Sequence, residues 1–279
     1  MQLPDDFYFS QSNLQDYVDC PYRFYLRYYL RLKWPALVVD DALDFERRGQ
    51  VGARFHRLIQ QYLLGVPERR ITDLADADPA TEVSHWWEDF LQYTSPAIEG
   101  KKYVETTLST SLDGYALLAK FDLIVIRSSG SLAIFDWKTS RRKPKKDWLL
   151  QRVQTRLYRF ILAEAGAELV NKSKISPDQV SMHYWFAPRP EQPVTLPYSQ
   201  DEYQSDRDFI KRLINEIAER EETRFLRTDD TDKCRYCVYR SHCDRGSQAG
   251  DLDAFEDFES GPEDFELDIE FEQIEEISF

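Results

Sequence analysis

The 279-residue sequence predicts an α/β (α+β) fold, and three observations carry that expectation. Residues 103–139 read as three successive strands of bulky and β-branched residues, separated by an Asp113-Gly114 turn, a strong hairpin dipeptide, and a Ser-Ser-Gly-Ser turn at 128–131. Helical periodicity flanks this block: Phe55, Leu58, Ile59, Tyr62 and Leu63 form one stripe, and residues 147–166 carry another. Residues 180–187 then alternate like a further strand.

Taken in order, residues 10–33 open on Ser10 and Ser12 as candidate helix caps. Leu14, Tyr17 and Val18 form a helical face, and Pro21 starts a new helix. Phe24, Leu26, Tyr28 and Tyr29 interleave there with Arg23, Arg27, Arg31 and Lys33. That pattern fits either an ordinary amphipathic helix or a basic-aromatic surface for single-stranded nucleic acid. The segment 65–101 reads as a loop, DLADADPA, followed by a helix with Val83, Trp86, Trp87 and Phe90 as its stripe. His85 reads as structural or exposed. Gln154 and Tyr158, at i and i+4, share a face of the helix at 147–166. Arg152, Arg156 and Arg159 fall on other faces, where they could meet a nucleic-acid backbone. Residues 200–222 read as a polar helix.

Net charge is −14, but 13 of the 50 acidic residues lie in 251–279, which has no Lys or Arg. The body, residues 1–250, is thus near neutral, with 36 basic against 37 acidic residues. A neutral body can still carry a basic groove. The tail is too acidic to build a core and is expected to be disordered, with docking on a basic groove or a protein partner as its sharper role. No apolar run reaches membrane-spanning length, and the N-terminus lacks a secretion signal, so a cytoplasmic protein with no membrane partner is expected. No GxxxxGK[ST] loop occurs, which argues against a motor.

Inside the apolar hairpin sit Asp122, Asp136 and Lys138. Strand alternation points Asp136 and Lys138 to one face. An antiparallel hairpin around 128–131 sets Asp122 almost opposite Asp136. Two bare carboxylates so placed repel, and burying them is costly without a compensating cation. A divalent metal shared between them, holding water or phosphate, satisfies both requirements. The loop that follows holds Arg141, Arg142, Lys143, Lys145 and Lys146, placed to contact phosphates. Four cysteines complete the set, Cys20 alone and Cys234, Cys237 and Cys243 clustered as C-x2-C-x5-C. One metal centre with four thiolates is the economical reading.

Asp122 followed by Asp136-Trp137-Lys138 resembles the core motif of the PD-(D/E)XK nuclease superfamily. Gly52-x-x-x-His56 and Gln154-x-x-x-Tyr158 resemble its RecB-like branch, and the one-plus-three cysteines resemble the CRISPR-adaptation-type iron–sulfur exonucleases. The resemblance spans about residues 10–245; Ala119 stands where many relatives have Gly, and the helix within 65–101 reads as an insertion. It implies a restriction-endonuclease-like core with a mixed central sheet flanked by helices and an iron–sulfur-stapled helical part. It implies a nuclease domain over residues 1–250 and a separate tail at 251–279. It also implies that His56, Asp122, Asp136 and the Trp137 carbonyl hold Mg²⁺ or Mn²⁺, that Lys138 orients water or steadies the phosphate, and that Gln154 and Tyr158 position the strand. The cysteines would hold a 4Fe–4S cluster, with Zn²⁺ as the alternative. The expected activity is exonuclease cleavage of single-stranded or end-containing DNA, in recombination, repair or CRISPR adaptation. A non-catalytic DNA-binding or assembly subunit is the alternative, and a zinc-stapled protein acting on RNA a third.

Overall fold

The computed structural model describes residues 3–4, 7–33, 40–140, 144–234 and 237–246. In chain order its elements are β1 (Tyr8–Phe9), α1 (Gln11–Asp19), α2 (Pro21–Phe24), α3 (Asp40–Leu63), α4 (Glu68–Asp76), α5 (Thr81–Asp89), β2 (Lys101–Leu112), β3 (Tyr115–Ile126), β4 (Leu132–Lys138), α6 (Lys146–Gln151), α7 (Val153–Ala165), β5 (Val180–Phe186), β6 (Val194–Pro197) and α8 (Gln200–Glu219). The tail, 251–279, lies outside the described residues, as do Arg141, Arg142 and Lys143.

The sheet is mixed. β2, β3 and β4 form the expected antiparallel meander, β5 joins β4 in parallel, β6 pairs antiparallel with β5, and β1 lies parallel to the start of β3. The parallel β4–β5 pair requires a crossover, which α6 and α7 provide. Helices cover both faces. On one, α1, α2, α7 and α8 enclose a core with Phe121, Ile124, Ile134 and Leu157; on the other, α3, α4 and α5 pack Phe55, Ile59 and Trp87, with Phe90 just beyond α5, against Leu123, Phe135, Trp137 and Trp185.

Two irregularities open the sheet at one point. β2 takes one edge of β3 along its length, so β1 and β4 share the other edge. β1 pairs there at Ala116 and Leu117, and β4 from Leu123 onward. Between them, among the described residues, that edge of β3 has no strand beside it. At the same row the face alternation slips by one. Leu117, Ala119 and Phe121 face the α7 side, yet so does Ile124, while Leu123 faces α3. In β2 the facing residue, Glu105, has left-handed φ of 49°, a strained conformation for a side chain with a Cβ. Side chains from the two helical layers can meet only where the sheet parts in this way.

Several expectations need correction. The segment read as a loop contains α4, because Ile71 and Ala75, one helical turn apart, are buried against α5. Trp87 Nε1 donates to Thr72 Oγ1 at 2.9 Å and ties the two helices together. The helix at 147–166 is broken at Arg152, which is extended (φ −63°, ψ 141°) and lays its guanidinium over Trp148. The break lets α7 bury Val153, Leu157 and Ile161 while turning Gln154 toward the end of β4.

The basic-aromatic segment within 10–33 is partly interior. Phe24 and Leu26 are core, and Arg23 and Arg27 pair with Asp16 and, for Arg23, Asp19. Nor are the helix arginines available to a nucleic-acid backbone. Arg152 is buried; Arg159, 1% exposed, pairs with Asp206 and Glu202, and Arg156 also reaches Asp206. Arg159→Met should cost about 3 kcal/mol in urea denaturation, because it removes one cation from a buried carboxylate. A change below about 0.5 kcal/mol would mean that Arg156 alone satisfies Asp206.

Candidate active site

The parted row of the sheet is the floor of a cleft of about 240 Å³, lined by His56, Glu105, Lys120, Asp122, Asp136, Lys138, Gln154 and Tyr158, with Gln11, Gly49, Gly52, Arg57 and Gln60 around them. The β3–β4 pairing ends at Leu123↔Phe135, so Asp122 and Asp136 are the next residues of their strands, at the point where the two part. Asp136 and Lys138 share the α7-side face of β4, both buried, with Lys138 Nζ 3.1 Å from Asp136 Oδ1. Gln154 Nε2 donates to Asp136 Oδ2 at 2.8 Å, which fixes the carboxylate from the α7 layer. The Trp137 backbone N–H donates to Asp122 Oδ2 at 3.1 Å. The Trp137 side chain itself is core on the α3 side.

His56 enters from α3, the opposite layer. Its Nδ1 stands 3.7 Å from Asp122 Oδ2, beyond hydrogen-bond length but close enough for the two to share a third partner. Both side chains are about one-fifth exposed. Burial pushes the Asp122 carboxyl above its ordinary range, opposed by His56, raised further by Glu105, and opposed again by Lys138 and the Trp137 N–H. Tyr158 lies one turn beyond Gln154 and packs its ring on Phe121 at 4.9 Å.

Among the described residues, no three or more His, Cys, Asp or Glu side chains are grouped as a ready-made metal site. The donors nonetheless suit a hard divalent cation: two carboxylates and an imidazole around one cleft. Two of the site's buried polar atoms, His56 Nε2 and Gln154 Oε1, have no hydrogen-bond partner among the described residues. Lys138 meanwhile supplies Asp136 with positive charge.

Sequence reasoning missed Glu105, Lys120 and Gln11. Lys120 was legible, since it shares strand parity with Asp122. Glu105 arrives through the β2–β3 register, and Gln11 through the β1–β3 pairing, neither of which a local pattern encodes. Glu105 Oε2 and Lys120 Nζ form a 2.6 Å ion pair at the cleft wall. Lys145 and Lys146 are exposed at the start of α6.

Among the described residues, the four cysteines line a second, smaller cavity without being grouped as a ready-made metal site. Cys20, at the α1–α2 junction, lines one small cavity with Cys234, Cys237 and Cys243, ringed by Arg23, Arg227, Lys233, Arg240 and Arg245. They form no disulfide. Burial pushes the Cys237 thiol up to about 11, partly offset by Arg23. The Thr228 N–H donates to Cys20 Sγ at 3.4 Å.

Among solved structures, SSO0001 is similar over 87% of this chain and 88% of its own, at 13% identity and a TM-score of 0.42. A protein of Eubacterium rectale, described as a candidate exonuclease, is similar over 78% of this chain and 87% of its own, at 12% identity and a TM-score of 0.45. No curated protein matches the sequence. No helix among the described residues is long and apolar enough to cross a membrane. The sequence profile of the PD-(D/E)XK nuclease superfamily matches residues 8–244. With that match spanning most of the chain, over a mixed sheet flanked by helices, the protein belongs to the PD-(D/E)XK nuclease superfamily.

Proposed function

We propose that this protein is a metal-dependent DNA exonuclease acting on single strands or strand ends, in recombination, repair or CRISPR adaptation. The observation that carries the reading is the meeting of His56, Asp122, Asp136, Lys138 and Gln154, from both helical layers and two strands, in one cleft. His56, Asp122 and Asp136, with the Trp137 carbonyl, would hold Mg²⁺ or Mn²⁺. When bound, such an ion lowers the pKa of a water and offsets negative charge at the phosphate. Lys138 orients the attacking water or steadies the scissile phosphate. Gln154 holds the Asp136 carboxylate in place, and with Tyr158 positions the strand. Lys145 and Lys146, beside Arg141, Arg142 and Lys143 in sequence, offer cations to phosphates just beyond β4.

We further infer that Cys20, Cys234, Cys237 and Cys243 hold a 4Fe–4S cluster, with Zn²⁺ as the alternative. The gathering of four thiols among five basic side chains supports an anionic thiolate centre. The nuclease domain is assigned to 1–250, and the acidic tail to a separate segment that docks on a basic groove or a protein partner.

The test is anaerobic digestion with Mn²⁺ of end-labelled single- and double-stranded DNA. Linear single strands should shorten progressively from an end, EDTA should stop the reaction, and closed single-stranded circles should survive. Cutting of circles would replace exonuclease by endonuclease action. No metal-dependent cutting of any substrate would remove the nuclease reading.

A further inference from the structure

The cleft meets a strand with most of its charge already engaged. Glu105, Asp122 and Asp136 supply three carboxylates. Both lysines that line it are held by two of these acids, Lys120 Nζ by Glu105 Oε2 at 2.6 Å and Lys138 Nζ by Asp136 Oδ1 at 3.1 Å. A metal ion would answer the carboxylates and the phosphate that is cut. It would not answer the phosphates on either side, each of which brings a further negative charge. A strand lying in this cleft therefore needs a cation that no acid of the protein holds.

Arg57 is such a cation. It lines the cleft and is exposed, and among the described residues its guanidinium has no hydrogen bond or ion pair. Arg54, one turn earlier on α3, differs: two of its guanidinium nitrogens donate to Asp78, at 2.7 and 3.0 Å. A helix turns by about 100° per residue, so Arg57 stands a little more than a quarter-turn from His56. That rotation takes it from the partly buried floor, where His56 faces Asp122, to the exposed rim. Ala53 and Gln60, four residues before and three after, line the cleft along the same row of α3. Ala53 leaves room for a strand beside the helix, and the Gln60 amide offers a further donor.

We propose that Arg57 binds the phosphodiester next to the one that is cut, and so sets how far the strand enters the cleft. A guanidinium presents paired N–H donors that match two non-bridging oxygens. Its place at the rim gives it a neighbouring linkage and leaves the reacting one to the floor. Arg57 is thus a positioning residue, and the assignment rests on the nuclease reading above.

The experiment follows binding of a labelled single-stranded oligonucleotide by anisotropy in Ca²⁺, over a range of KCl, for wild type, Arg57→Gln, Arg57→Lys and Lys174→Gln. Lys174 is exposed and outside the cleft, so its variant controls for the loss of one charge anywhere. Arg57→Gln should bind about 10-fold more weakly at low salt. Its slope of log affinity against log salt should be shallower by about 0.7, the value for one single-strand phosphate. Arg57→Lys should recover the slope and part of the affinity, and Lys174→Gln should match wild type in both. A neutral methylphosphonate next to the cut site should weaken wild-type binding and have no further effect in Arg57→Gln. With Mn²⁺, Arg57→Gln should raise KM more than it lowers kcat, with Tm unchanged. Equal methylphosphonate sensitivity in wild type and Arg57→Gln overturns the subsite, as does a Lys174→Gln that loses as much as Arg57→Gln. A wild type that cleaves with Mn²⁺ while Arg57→Gln keeps its affinity and salt slope removes the subsite alone. A wild type that never cleaves removes the nuclease reading with it.

Discussion

Asp136→Asn and Lys138→Met are each expected to lower Mn²⁺-dependent DNA cleavage by about 10³-fold, and to destabilise the fold as well. The second effect follows from burial. Asp136 is 3% and Lys138 8% exposed, and they face each other at 3.1 Å. Removing one charge strands the other in the interior, at about 3–5 kcal/mol. The double variant Asp136→Asn/Lys138→Met removes both charges of the pair. It should recover much of the lost stability in urea denaturation and none of the activity. The Gln154 bond to position 136 survives in both Asn variants, because the amide oxygen still accepts. Single variants retaining cleavage within tenfold of wild type would end the proposed roles. A double variant no more stable than the singles would show that the pair contributes to chemistry without being coupled in the fold.

Cys20→Ser is expected to act on both sites at once. Anaerobically purified wild type should be brown and carry about four irons per chain; the variant should be colourless. Cys20 closes a loop of more than 200 residues onto Cys234, Cys237 and Cys243. Its loss should cost about 4 kcal/mol, read as a fall in Tm of about 10 °C for a chain of this size. The Asp19–Lys233 ion pair (3.1 Å) and the Tyr239 hydroxyl bond to the Leu32 carbonyl (2.9 Å) also join these ends, so the segment after α8 should loosen rather than detach. Cys20 lies at the far end of the helix that begins with Gln11, so that loosening should reach the cleft and reduce cleavage. A colourless wild type with one zinc per chain would replace iron by zinc. A metal-free wild type, as stable as Cys20→Ser, would leave the four thiols as packing alone.

Much of the site was legible because its chemistry is at odds with its surroundings. Asp122, Asp136 and Lys138 interrupt runs that otherwise read as buried strand, and charge in such a run needs a reason. The hairpin centre predicted the row that Asp122 and Asp136 share, since antiparallel pairing about a short turn leaves one register. That Gln154 and Tyr158 share a face followed from helical period; their place in the site was implied by the resemblance to the RecB-like branch. The arginines were misread because periodicity reports which face a side chain takes, and cannot report that an acid 47 positions away, Asp206 for Arg159, will be waiting on that face.

Local pattern alone therefore determined the strands of the meander, the main helices and the charged residues set into the apolar hairpin, because each depends on neighbours within a turn or a hairpin. Only the tertiary structure decided that β1 and β4 end against the same edge of β3, that the alternation slips at Asp122, and that His56 and Gln154 come through the resulting gap from opposite layers. Those outcomes depend on how strands far apart in sequence pair, and pairing is selected by the burial of whole faces rather than by any residue's own preference.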